Sequence, residues 1–193
     1  RGRDGPCGVA ARRTVPSMRL PTTGKPEAVP VVVRPFSPSD STAELTSLLH
    51  RAYAKQVAMG LKPLAGRQDE ETTRRRCASG ECFVATLADR IVGTILFEEV
   101  EDADFPPHFQ RPEVAHFSLF AVDPELQGRG IGGMLLATVE ERARVLGFTE
   151  LALSMAEPDT DLARYYARRG FRFIEHWQWP YTNYRSAILS RTL

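Results

Sequence analysis

A chain of 193 residues that is 42% hydrophobic can bury one sizeable core and leaves little length for a second domain. Its 25 basic and 24 acidic side chains are interspersed and sum to +1, so no global field selects nucleic acid or an anionic membrane, and binding must come from local sites. The cysteines Cys7, Cys77 and Cys82 form neither a C-x-x-C pair nor an even disulfide set, which favours a reducing, cytoplasmic setting; His50, His108, His116 and His176 give no metal-ligand spacing, and no apolar run is long enough for a membrane span.

Residues 1–30, rich in Arg, Pro, Gly and Thr and without an apolar period, are expected to be a flexible extension ahead of one folded domain at 31–193. Met18 is an alternative natural start, with 1–17 a leader, and the Arg-rich, acid-poor composition also admits an organellar transit peptide. "VVVRPF" (31–36) predicts a short strand ended by proline, and "SPSDSTAELTSLLHRAYAKQV" (37–57) predicts a capped helix. "LAGRQDEETTRRRCAS" (64–79) carries acids early and arginines late, the order a helix macrodipole favours. Two strands follow in "ECFVATLADRIVGTILFEEVE" (81–101) around a turn at 88–90, then a proline-broken loop, "DADFPPHFQRPE" (102–113). "VAHFSLFAV" (114–122) is apolar on both faces, as a central strand is. "GIGGMLLATVEERARVLGF" (130–148) predicts an amphipathic helix closed by Gly147, "ELALSM" (150–155) a strand, and "DTDLARYYARRG" (159–170) a helix closed by Gly170. "FRFIEHWQW" (171–179) and "YRSAILSRTL" (184–193) supply two last strands to a mixed α/β domain.

The turn "QGRGIGG" (127–133) has its own chemistry. Glycines let backbone amides approach a ligand, and a helix begins at once, so its unpaired N–H groups and dipole form an anion site suited to phosphate. A P-loop is excluded, because no Lys-Ser or Lys-Thr follows the last glycine. Gly128, Gly130 and Gly133 satisfy the dinucleotide pattern G-x-G-x-x-G, but "DPELQ" separates the strand from the first glycine and too little chain follows for a second mononucleotide half. A glycine-rich helix start without a ligand is the remaining alternative.

Gln127, Gly128, Arg129, Gly130, Ile131 and Gly132 resemble the Q/R-x-x-G-x-G/A signature of the GNAT family of N-acetyltransferases, and "FAVDPELQGRGIGGMLL" (120–136) is similar to that family's strand, turn and helix. "LARYYARRGFRF" (162–173) resembles its downstream A-x-x-x-Y-x-x-x-G-F segment, with Tyr166, Gly170 and Phe171 in register and Leu162 in place of Ala. The resemblance spans roughly 31–193, its specific motifs lying within 117–173. It implies a mixed, mostly antiparallel sheet with a central splayed pair of parallel strands, flanked by helices. It also implies transfer of an acetyl group from acetyl-CoA to a primary amine by direct attack, with no metal. Phe120, Ala121 and Val122 would then offer backbone groups to the pantetheine arm, and Gln127, Gly128, Arg129, Gly130, Ile131, Gly132 and Gly133 would hold the pyrophosphate. Met134, Leu135, Leu136 and Val139 follow helical spacing and read as core.

Direct attack requires an amine that has lost its proton and a thiolate that gains or is stabilised by one. Tyr166 matches the family tyrosine that serves as acid towards the CoA sulfur, with core packing as the alternative and Tyr165 as a neighbouring candidate. His116, on the strand before the turn, is the candidate base, since imidazole exchanges protons near neutral pH; a structural histidine is the competing reading. Glu98, Glu99 and Glu101 could relay a proton through water or attract a cationic acceptor, or form a solvated acidic edge. Asp159 stands where the family often has Asn, which puts one pantetheine contact in doubt. Trp177, Trp179, Tyr181 and Tyr184 are candidates for sheet packing or for a substrate pocket, and residues 105–112 for a loop over it. Cys77 and Cys82 read as bystanders, because direct transfer uses no cysteine nucleophile. Expected partners are a small-molecule or peptide amine, not nucleic acid or membrane, with a homodimer through a sheet edge as an option. The alternative function is a non-catalytic acyl-CoA-binding or sensor module.

Overall fold

A computed structural model describes residues 30–193; the expected extension, the Met18 start and Cys7 lie outside the described residues. β1 (Val32–Pro35) is an edge strand, where a proline without a ladder donor is tolerated. Arg34 grips Asp40 through two 2.7 Å bonds, closing the turn into the first helix and holding the Asp40 carboxyl down at about 2. α1 (Thr42–Ala58) starts at Ser41, whose hydroxyl accepts from the Glu44 N–H, and its Leu45, Leu48 and Leu49 are fully buried at helical spacing. α2 (Glu70–Cys77) is capped by Asp69, with Glu70 and Glu71 in its first turn and Arg74, Arg75 and Arg76 in its last.

β2 (Glu81–Leu87) and β3 (Arg90–Glu98) form a hairpin whose turn residues, Ala88 and Asp89, both adopt positive φ, 47° and 64°. That left-handed pair matches the twist of the strands it joins. The later elements are β4 (Val114–Val122), α3 (Ile131–Val145), β5 (Glu150–Ala156), α4 (Thr160–Ala167), β6 (Arg172–Trp177) and β7 (Ser186–Thr192). β6 stops two residues before the predicted end, and the chain from Gln178 turns back towards β7.

The seven strands lie in the order β1-β2-β3-β4-β5-β7-β6, and every neighbouring pair is antiparallel except β4 with β5. This is the mixed sheet with one parallel pair that the family resemblance implied. A single parallel pair excludes the doubly wound parallel sheet of a dinucleotide fold. One face packs α3, through Leu135 and Val139, and α4 over Phe117, Leu151, Leu153 and Phe171; the other packs α1 over Val84, Leu96 and Leu119. Each fully buried leucine contributes about 1.5–3 kcal/mol relative to exposure. Gly93 on β3 lets α3 approach closely, since a Cβ there would lie 2.9 Å from Leu135 Cδ1. Among the described residues, no helix is long and apolar enough to cross a membrane.

Candidate active site

β4 and β5 are paired over only four positions, Val114 with Glu150 to Phe117 with Leu153. Beyond these, residues 118–122 stay on β3 and residues 154–156 stay on β7, so the two strands part. The parting coincides with a bulge. Between Ser118 and Ala121 β4 carries one more residue than β3, and Leu119 takes φ 49°. An extra residue bends and twists the strand, and here it turns β4 away from β5. Leu119 is nonetheless 2% exposed, its side chain fixed among the α1 cluster, so packing holds the strained backbone.

The gap opens a cavity of about 990 Å³ between α1, α4, the glycine turn and the segment before β7. Along its β4 side the backbone groups that would have met β5 have no strand partner, an edge suited to an extended ligand that carries amides. Tyr53 on α1 donates to the Phe120 carbonyl at 3.5 Å.

The chain leaves β4 through Asp123, which accepts from the Glu125 N–H and pairs with Arg51 at 2.8 Å. This anchor fixes the entry to the glycine turn. Gly128 and Gly130 adopt φ 77° and 85°, and Gly130 caps α3 without a side-chain hydrogen bond. The first amides of α3 are therefore free of intrahelical partners. Gly132 closes the floor, where a Cβ would sit 3.3 Å from both Phe120 Cζ and Tyr165 Oη. A cradle of free amides and missing side chains fits a pyrophosphate. Phe120, Ala121, Val122, Gln127, Gly128, Gly130, Ile131, Gly132 and Gly133 all line the cavity. Arg129 does not; it is exposed.

α4 begins where β5 ends. Asp159 caps it by accepting the Leu162 N–H, and its other carboxylate oxygen accepts from Gln56 Nε2 at 3.0 Å, tying α4 to α1 across the cavity. The helix then presents both tyrosines. Tyr165 lies by the glycine turn under the Arg169 guanidinium, 3.5 Å above its ring. Tyr166 is 4% exposed and packs on Phe117 and Phe171, yet it too lines the cavity. Burial raises its phenol well above the usual value, so it is protonated at neutral pH.

His116 sits at the other end of the gap, 3% exposed and stacked on Phe109 at 4.2 Å. Its Nε2 is 2.9 Å from Glu101 Oε1 and its Nδ1 is 3.7 Å from Glu98 Oε2. Glu98 in turn accepts from Ser118 and Ser79 at 2.8 and 3.0 Å. The acidic run thus divides: Glu98 and Glu101 flank the imidazole, and Glu99 is exposed. Around them Phe105, Phe109, Trp179, Tyr181 and Tyr184 line the wall, with Trp179 Nε1 donating to Ser154 at 2.9 Å. Trp177 lies outside the cavity lining, behind this wall, where it packs with Phe109, Val114, Ala152 and Ile188 and meets Trp179 edge-on. Cys77, at the end of α2, and Cys82, on β2, are buried in the cluster under α1, outside the cavity lining.

Tyr53, Gln56, Ser79 and Arg76 also line the cavity, and nothing in the sequence marks them for it. Tyr53 and Gln56 occupy ordinary helical positions, and Arg76 stands in a run of three arginines that complements a helix end. Only the paired fold singles them out.

Comparison with known proteins agrees with this geometry. The acetyltransferase (GNAT) family matches residues 43–171, and the chain belongs to that family. It is 28% identical over 130 residues, 66% of this chain and 76% of the relative, to the S-(2-succino)cysteine N-acetyltransferase of Bacillus subtilis (strain 168). It is 36% identical over 97 residues to the mycothiol acetyltransferase of Rhodococcus opacus (strain B4), a match covering 50% of this chain and 28% of that protein. A GNAT family acetyltransferase from Elizabethkingia anophelis, solved with acetyl-CoA bound, shares the fold with a TM-score of 0.57 at 19% identity, over 84% of this chain and 98% of that one. The chain is an acetyl-CoA-dependent N-acetyltransferase, and the reading as a non-catalytic binding module is not favoured.

Proposed function

We propose that the turn at 127–133 holds the pyrophosphate of acetyl-CoA, that β4 residues 120–122 bind its pantetheine arm, and that Tyr166 and His116 serve as acid and base. The observation that carries this reading is the parted strand pair, with amides at one end and a carboxylate-flanked imidazole at the other. Acetyl-CoA supplies an acetyl group activated as a thioester. The α3 amides and dipole favour the phosphate charge, and the free β4 edge offers main-chain partners to the arm. Arg129, exposed and outside the cavity lining, is left with at most an outer electrostatic contribution.

Tyr166 Oη holds a proton in the cavity, where a departing sulfur can receive it. With the Nε2 proton donated to Glu101, His116 keeps its Nδ1 lone pair on the Glu98 side, where it can take a proton from an acceptor ammonium. Glu98 and Glu101 draw that ammonium in. The acceptor is an amine, and relatives named for a cysteine derivative and for mycothiol support a small-molecule amine over a peptide. The free, buried thiols of Cys77 and Cys82 agree with a reducing, cytoplasmic setting.

Calorimetric titration with acetyl-CoA, with CoA and NADH as comparators, tests the cradle: saturable acetyl-CoA binding without NADH binding is expected, and no acetyl-CoA binding by folded protein overturns it. For the base, His116→Gln should abolish the acidic limb of the kcat/KM profile, and an unchanged profile would remove the assignment.

A further inference from the structure

Resting on the acetyltransferase reading, the next question is what besides the amine the cavity recognises. Arg74, Arg75 and Arg76 follow one another at the end of α2. Arg74 pairs with Glu71 on the surface and Arg75 is exposed, whereas Arg76 is half-buried and lines the cavity. Among the described residues Arg76 forms no ion pair; its one side-chain hydrogen bond runs from Nη1 to Gln68 Oε1 at 2.8 Å.

That single bond comes from a built support. Gln68 is 3% exposed and donates through Nε2 to Thr73 Oγ1 at 2.8 Å, while Thr73 is bonded by Thr46 at 2.8 Å and the Gln68 carbonyl by His50 at 2.8 Å. A buried amide locked at both ends fixes one guanidinium nitrogen and leaves the remaining donors of the fork directed elsewhere. A cation that only complements the helix dipole needs no such mounting.

The surroundings define what the fork meets. Ser79 Oγ lies 2.8 Å from the Arg76 carbonyl and 3.0 Å from Glu98 Oε1, its one proton serving either, so the Arg76 backbone and the acidic wall adjoin. Tyr181 feels both charges, its phenol pushed up by burial, eased down by Arg76 and raised again by Glu98. Glu98 pairs with His116, and from there to Val122 the strand advances roughly 20 Å, at about 3.3 Å per residue, so the acidic wall lies far from the glycine turn. Positive and negative anchors thus face an aromatic wall at the acceptor end.

We propose that the acceptor amine carries a carboxylate, and that Arg76, positioned by Gln68, binds it while Glu98 and Glu101 receive the ammonium. Arg76 is then a specificity residue that discriminates a zwitterionic acceptor from a plain amine. An unmatched guanidinium would be left facing a neutral group, which makes the discrimination strong.

The test is a fluorescence titration, with Trp179 in the cavity wall as reporter, using L-phenylalanine and L-phenylalaninamide as probes at pH 7. Wild-type protein should bind the acid about 10- to 100-fold more tightly than the amide, the range expected of one charge-assisted contact. Arg76→Gln should bring that ratio close to one, Arg76→Lys should restore part of it, and Arg75→Gln should keep it. Gln68→Leu, which frees the guanidinium without removing it, should lower the ratio to an intermediate value. A wild-type ratio near or below one, an undiminished ratio in Arg76→Gln, or no saturable quench with either probe overturns the proposal. Acetyl-CoA calorimetry on the same samples separates the two failures, since protein that binds acetyl-CoA without this ratio fails only in its acceptor class.

Discussion

Gly130 and Gly132 lie two residues apart in the cradle and should respond in opposite ways to the same methyl group. At Gly130 a Cβ meets nothing within 4 Å, but φ is 85°. Alanine there costs the left-handed backbone penalty, about 1–2 kcal/mol, with no compensating contact. At Gly132 the backbone is helical and the Cβ meets Phe120 Cζ and Tyr165 Oη at 3.3 Å, both far ends of side chains that can yield by a few tenths of an ångström. Alanine is also the better helix former by up to about 1 kcal/mol, so the two effects nearly cancel. Urea unfolding of the two variants should therefore differ by about 1–2 kcal/mol at equal m-value, and their melting temperatures by about 2–8 °C. Gly130→Asn should lose less than Gly130→Ala, because asparagine tolerates the left-handed region. A larger loss in Gly132→Ala than in Gly130→Ala would refute the assignment of strain to one position and contact to the other.

Tyr166→Phe should lower kcat by about 10²- to 10⁴-fold with little change in acetyl-CoA affinity, as loss of a general acid does; full turnover in a chemistry-limited assay would return Tyr166 to a packing role. His108, 5% exposed, is held below its ordinary value of 6.5 by burial, against the pull of Glu150. Its folded pKa is the lower one, so its stability contribution is complete above about pH 6.5 and is lost as pH falls through the folded value. His108→Leu should flatten the stability profile below pH 6.5, as read by denaturation midpoints at stepped pH. Asp159→Ala should cost about 0.5–2 kcal/mol as a lost cap, whereas Asp159→Asn should keep most of it; equal losses would deny the cap its role.

Much of this fold was legible because its signals are local. Residues 114–122 matched β4 from end to end, since a run apolar on both faces and bounded by Pro112 and "DP" has few other outcomes. The glycines of the turn could be assigned because the helix after them makes their chemistry local too. What stayed hidden depends on pairing across distance. Glu98 flanks His116 only because β3 and β4 place them in register, after a loop whose length fixes nothing. The bulge at Leu119 has no sequence mark, leucine being an improbable residue for positive φ, and tertiary packing alone holds it there. The aromatic tail divided unexpectedly: Trp177 ends β6 packed behind the cavity wall, while Trp179 lies past the strand and joins the cavity.

The parting of β4 from β5 means that one strand belongs to two regimes of solvent access. Up to Phe117 the strand is paired on both sides; beyond Ser118 it stays paired to β3 alone, and the groups directed into the gap have no strand partner. Amide hydrogen exchange should therefore be mixed along 118–122 in the free protein, slow where an N–H is bonded to β3 and fast where it faces the gap or falls in the bulge. Acetyl-CoA, acting as a surrogate strand, should slow the fast ones, making the cosubstrate the piece that completes the sheet.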